Sequence, residues 1–253
     1  MRRKYSQIFL KDTHIAKKIT DVFAEIAKDN RVAEIGPGKG VLTDFLFKKY
    51  KDNLTVIDID PEMIEWIKLK YPGIKFINSD FLKISLQELN TSYFIGNLPY
   101  HISTAIIEKL ITYPNFKAGV FMLQKEVCKK ITADEKSPDY GYLSALVNLI
   151  CRTGYLFDVY RESFSPSPNV DSGIVSIEKT KDQITDEDFK KYSRFIGYAF
   201  RHKRKTLVNS INLSIGYPKD KLSEILLSKS ISPNVRAQEL PPEKLLEISK
   251  LVI

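Results

Sequence analysis

Residues 94–100 read Phe-Ile-Gly-Asn-Leu-Pro-Tyr. An apolar run breaks at a glycine, and a carboxamide, a rigid proline and an aromatic ring follow within four residues, Asn97, Leu98, Pro99 and Tyr100. Such a set suits flat, hydrogen-bonding chemistry. A second cluster, EIGPGKG at 34–40, holds Gly36, Gly38 and Gly40. Glycines there let the backbone approach a ligand, and the helix they open offers N–H groups. The spacing is G-x-G-x-G. A dinucleotide fingerprint needs glycine at 41, where Val41 stands, and a P-loop needs Ser or Thr after Lys39, where Gly40 stands. Glu34 is placed to orient the loop. Asp58 ends the next apolar run, where an acid takes ribose hydroxyls, and Asp80 ends the one after. An acid in a loop is normally just solvated. Three such features on successive strand ends point instead to an adenosyl ligand with ribose and base but no phosphates, S-adenosylmethionine. His14, His101 and His202 are scattered, so no metal site is expected.

These residues need a sheet to hold them. Residues 12–28 carry Ile15, Ile19, Val22, Phe23 and Ile26 at helical spacing. Strands are expected at 31–35, 54–60, 74–80, 92–97 and 117–123, each followed by a loop or helix, with Pro61 in the first turn of one helix. This alternation predicts an α/β fold, an open and largely parallel sheet with helices on both faces. After a strand-like SGIVSIEK (172–179) the pattern turns helical. Thr185 is placed to cap a helix whose first turn holds Asp186, Glu187 and Asp188, and whose buried face carries Phe189, Tyr192, Phe195 and Ala199. The expected boundary lies near 180: a catalytic, cofactor-binding domain over 1–180, a small all-helical domain over 181–253, and KTKDQITDED (179–188) as linker.

Net charge is +8 and unevenly spread. Residues 1–11 hold four basic side chains and no acid, and residues 189–219 hold eight and no acid, including Arg201, Lys203, Arg204 and Lys205. A solvated helix face interleaves both signs, so a one-sign stretch predicts a polyanion partner, nucleic acid. No apolar run approaches the roughly 20 residues of a membrane span, and no secretory signal is seen. Cys128 and Cys151 form no C-x-x-C and read as reduced core thiols of a cytoplasmic protein.

EIGPGKG, Asp58, NSD (78–80) and GNLPY together resemble the class I methyltransferases acting on RNA adenine. The chain is similar to the KsgA-type dimethyltransferases of small-subunit ribosomal RNA. Segments in that family's order run along nearly the whole chain: QIFLKD (7–12), FMLQKEV (121–127), YGYLSALV (140–147), FSPSPNVDSGIV (164–175), FRHKRKTLVNSI (200–211) and SPNVRAQEL (232–240). The resemblance implies a Rossmann-like S-adenosylmethionine-binding sheet and a helical RNA-binding domain. It implies cofactor contacts at Ile8 and Leu10 through the backbone, at the Gly36–Gly38 loop, and at Asp58, Asp80 and Asn97. Its implied substrate is two adjacent adenosines in the 3′-terminal hairpin of small-subunit rRNA. Free RNA and a partly assembled subunit both stand as the form met, the large basic surfaces suiting the latter, and a cytoplasmic monomer is expected. Three positions depart from the family's common residues: Ile8 for Asn or His, Asp58 for Glu, and His101 for Asn.

The opening heptapeptide then has a task. An adenine amine is a poor nucleophile because its lone pair is delocalised. The Asn97 side-chain oxygen and the Leu98 carbonyl would accept its two hydrogens and direct the lone pair. Pro99 would hold that carbonyl in place. Tyr100 would stack on the base, with Phe164 as the second face of a sandwich. Three rivals stand. An Erm-type large-subunit enzyme usually carries G-S-G-x-G and N-I-P-Y. A non-catalytic RNA-binding assembly factor would not need these loops. DNA adenine enzymes usually carry [DN]-P-P-Y.

Overall fold

The computed structural model describes residues 8–180 and 184–253. The chain opens with a two-residue strand, β1 (Phe9–Leu10), and helix α1 (Thr13–Ala27), whose N-cap Asp12 accepts from the His14 and Ile15 amides. The alternating part follows. It comprises β2 (Val32–Ile35), α2 (Thr43–Tyr50), β3 (Leu54–Asp58), α3 (Pro61–Lys70), β4 (Lys75–Asn78), β5 (Tyr93–Asn97), α4 (Ser103–Thr112), β6 (Ala118–Gln124) and α5 (Lys125–Thr132). Then come α6 (Tyr142–Asn148), β7 (Cys151–Val159), β8 (Phe164–Ser165) and β9 (Ser172–Lys179). The helices α7 (Asp186–Ala199), α8 (Leu207–Ile215), α9 (Lys219–Ser228) and α10 (Pro242–Val252) end the chain.

Seven strands form one sheet in the order β4-β3-β2-β5-β6-β9-β7. The first five are parallel, and β9 lies antiparallel to β6, with Phe121 opposite Val175. β2 and most of β6 are buried throughout, as expected for strands covered on both faces. The core includes Phe23, Val32, Leu46, Leu54, Ile67, Ile95 and Val120. The order runs outward from β2 in one direction through β3 and β4, and in the other through β5 and β6. β2 and β5 therefore flank the switch point, where an open α/β sheet binds its ligand. The expected α/β sheet and the all-helical C-terminal part are both present.

The chain divides into two compact units, one of residues 1–128 and 153–179, the other of 129–152 and 180–253. This differs from a single cut near 180 in one segment. The segment 129–152 joins the C-terminal helices because α6 packs its buried Ala145, Leu146 and Val147 with them, and the Tyr192 hydroxyl donates to the Ala145 carbonyl at 2.8 Å. Thr185 caps α7 as expected, accepting from the Asp188 amide. Tyr192, Phe195 and Ala199 are buried and Phe189 only partly, while Ile196 joins the buried face. Of the expected linker, residues 181–183 lie outside the described residues.

Candidate active site

β2 ends at Ile35, and the glycine loop turns directly out of it. Gly36 donates to the Ile57 carbonyl at 2.9 Å. Gly36, Gly38 and Gly40 all hold left-handed backbone, at φ +68, +54 and +84°. A side chain at Gly38 would be strained twice, because a Cβ there would lie 2.8 Å from the Phe9 ring. A Cβ on Gly36 would face the Asn97 carbonyl oxygen at 3.6 Å, so the loops after β2 and β5 are neighbours.

Below the loop, Glu34 is sealed at 0% exposure. The Thr43 hydroxyl, in the first residue of α2, donates to its Oε2 at 2.7 Å, and its Oε1 has no partner among the described residues. Burial pushes its pKa up to about 8, opposed by the Thr43 bond and reinforced by the charge of Asp58. Asp58 closes β3. Its Oδ1 accepts from the Asp60 amide at 2.9 Å, and the amides of Gly38 and Ile59 lie close enough to favour its charged form. Burial raises its pKa, and those three amides oppose the shift. Asp80, after β4, turns its Oδ1 onto the Leu82 amide at 3.0 Å.

Asn97 is the last residue of β5, paired with Met122. Its Nδ2 donates to the Ile8 carbonyl at 3.4 Å, which leaves Oδ1 as the acceptor of the amide. Leu98 donates its amide to the Met122 carbonyl at 3.1 Å, and its side chain is buried. Pro99 is exposed and its carbonyl accepts from Ile102, so the loop runs straight into α4. Tyr100 is half-buried, its hydroxyl 2.8 Å from the Ser172 Oγ on β9. Burial raises the phenol's pKa. His101 is exposed beside it.

Glu34, the glycine loop, Asp58, Asp80 and Asn97–Tyr100 thus gather at the carboxyl ends of β2, β3, β4 and β5, and Ile8, just before β1, reaches Asn97. Phe164 is a correction. Its ring is 2% exposed and belongs to the hydrophobic core, and its backbone pairs in β8 with Leu10 of β1. A ring on the inward side of this short strand is sealed among apolar side chains, so it presents no second stacking face. Leu10 is likewise buried and available only through its backbone. In the second unit Arg201, Lys203, Arg204 and Lys205 are all exposed on the turn between α7 and α8. Of the basic segment 1–11, residues 1–7 lie outside the described residues. Two polar residues of this region have no local sequence signal: Ser172, within FSPSPNVDSGIV, and Lys109, which looks like any helix lysine.

The site's chemistry suits a cationic adenosyl ligand. Glycines open the backbone, and carboxyl groups at 34, 58 and 80 stand at three strand ends. Glu34 itself is sealed beneath the loop and reaches it through Thr43.

The family model described as "Ribosomal RNA adenine dimethylase" matches residues 1–253. The chain is 39% identical over 249 residues to the "Ribosomal RNA small subunit methyltransferase A" of Malacoplasma penetrans (strain HF-2), covering 97% of this chain and 90% of that relative. Among solved structures, a dimethyladenosine transferase from Plasmodium falciparum aligns at TM-score 0.80 and 28% identity, over 95% of both chains. The 23S rRNA methyltransferase ErmE aligns at TM-score 0.69 and 24% identity, over 96% of this chain and 99% of its own, a likeness of fold.

Proposed function

The chain belongs to the ribosomal RNA adenine dimethylase family, and from that premise we propose that it dimethylates N6 of two adjacent adenosines in the 3′-terminal hairpin of small-subunit rRNA. S-adenosylmethionine, when bound, supplies an electrophilic sulfonium methyl group. The carboxyl groups of Asp58 and Asp80 hold its ribose and base ends, and the Gly36–Gly38 backbone leaves room for it. Ile8 and Leu10 contribute backbone atoms. Glu34 holds the start of α2 against the glycine loop through Thr43.

The Asn97 Oδ1 and the Leu98 carbonyl accept the two amine hydrogens, directing the nitrogen lone pair at the methyl group. The Ile8 carbonyl fixes the amide by taking its Nδ2. Pro99 limits the freedom of the Leu98 carbonyl. Tyr100, anchored by Ser172, offers a ring face to the base. Rate enhancement on this reading is positioning and electrostatics, with no strong base, because the proton leaves after transfer.

The observation that carries the reading is the adjacency of the Gly36 backbone and Asn97 across the switch point. Ring and amide chemistry meets a glycine loop there. The small-subunit target rests on the relative's name and on G-P-G-K-G with N-L-P-Y in place of the Erm-type residues. The enzyme is read as a cytoplasmic monomer acting on a partly assembled subunit, held by the exposed basic turn 201–205.

The test is methyl transfer from radiolabelled S-adenosylmethionine to unmethylated small or large subunits, followed by nucleoside separation. Label in N6,N6-dimethyladenosine from small subunits alone is expected. Label from the large subunit would transfer the assignment to the Erm-type reading. Asn97→Ala is expected to lose about 100-fold or more in turnover while still binding RNA. Full turnover in that variant would remove Asn97 from the mechanism.

A further inference from the structure

The turn after β4 carries Asp80 and continues as Phe81-Leu82-Lys83-Ile84. Apart from the Asp80 bonds to Leu82 and Lys83, it has no regular structure. One side chain from another element gathers it. Lys109, in the last turn of α4, donates from Nζ to the carbonyls of Phe81 at 2.8 Å, Leu82 at 2.9 Å and Ile84 at 2.6 Å. An ammonium group has three donors, and here three carbonyls of a single turn take them. The same Nζ lies 5.6 Å from the centre of the Phe81 ring. That ring is 5% exposed and packs edge-on against Phe94 of β5, at 6.4 Å between centres. Phe94 stands three residues before Asn97. Burial lowers the pKa of Lys109, and the charge of Asp80 opposes that shift, so the carboxylate lies within its field.

We propose that Lys109 is a positioning residue, which pins the Asp80 turn to the helix that begins at the Asn97–Tyr100 loop. A lysine that only solvated the helix face would keep its long stem mobile, at no entropic loss. This one gives up that freedom to tie two loops of the site together. The clamp therefore holds the Asp80 turn at a fixed place on α4, and with it the Asp80 carboxyl group that meets the cofactor. The proposal rests on the reading that Asp80 contacts the cofactor.

The experiment measures S-adenosylhomocysteine affinity by titration calorimetry, with steady-state methylation of small subunits alongside. Lys109→Met keeps the stem and removes the donors. It is expected to weaken S-adenosylhomocysteine binding and raise the KM for S-adenosylmethionine, each about tenfold, because misplacing a contact costs binding without touching the reacting atoms. Turnover at saturating cofactor and the KM for the subunit should hold within about twofold. Lys109→Arg, which restores charge and donors, should recover most of the affinity. If Lys109→Met does not fold, Lys109→Leu, which also lacks donors, is measured in its place with the same expectation.

Unchanged cofactor affinity in Lys109→Met, with Asp80→Ala weakened, overturns the proposal alone. Parallel losses of turnover, both KM values and melting temperature overturn it too, as the mark of a general structural role. Unchanged affinity in Asp80→Ala overturns the placement of the cofactor at this turn, and the proposal with it.

Discussion

Glu34 shows how much one residue's environment decides. Its carboxyl group has left water altogether, and a buried charge without full pairing is disfavoured. The folded protein therefore keeps a proton on Glu34 up to about pH 8, where the unfolded chain has released it from about pH 4.5. This term in stability is fully present below pH 4.5 and is lost as pH rises through about 8. At about 1.4 kcal/mol per unit, it is a term of several kcal/mol. Glu34→Gln keeps an acceptor for Thr43 and cannot ionise. Its melting temperature without cofactor is expected to fall less between pH 5 and 8.5 than that of the unaltered protein. Parallel pH profiles for the two proteins would place the charged form of Glu34 in the folded state. The residue was legible in the sequence as the neighbour of a glycine loop. Its isolation was not, because strand burial depends on what covers the sheet.

Among the elements, the pairing of β1 with β8 is the smallest and the one with most consequence for the site. It joins Leu10 to Phe164 and holds Ile8 where its carbonyl receives the Asn97 amide. Phe164 in the core, rather than on a target base, leads to a divided expectation. Phe164→Ala should destabilise the protein by about 3–5 kcal/mol, the cost of emptying a core aromatic site, as read from urea unfolding. Phe164→Leu keeps apolar volume without an aromatic face, and should retain RNA affinity and turnover within severalfold. Loss of turnover in a well-folded Phe164→Leu would restore the stacking role. A phenylalanine beside Ser-Pro-Ser-Pro has the same local signature in either role. Only the partner strand, more than 150 residues earlier, separates them.

At the scale of the molecule, charge and division matter most. The +8 net charge includes the exposed turn of Arg201, Lys203, Arg204 and Lys205. If these side chains hold phosphates, affinity for the subunit falls linearly with log salt. Lys203→Ala and Arg204→Ala should each reduce that slope by about 1, with turnover at saturating subunit unchanged. A slope that stays the same in both variants would take the turn out of the RNA contact. The second unit also draws in 129–152, so its folding brings α6 together with helices that begin about 40 residues later in the chain.

What the sequence determined by itself is local. Helical and strand periodicity located β2 through β6 and α7, because burial on one or both faces imprints a repeat on neighbouring residues. Left-handed backbone and close approach favour glycine, so the cofactor loop announced itself, and Asn97–Tyr100 stood out by residue type. The tertiary structure decided everything that pairs distant segments. It set β9 antiparallel beside β6, assigned 129–152 to the helical unit, sank Phe164 into the core, and brought Ser172 to Tyr100 and Lys109 to the Asp80 turn. Those contacts join residues separated by 25 positions or more along the chain. A hydrophobic pattern records that a side chain is buried or exposed, but not which remote atom it meets.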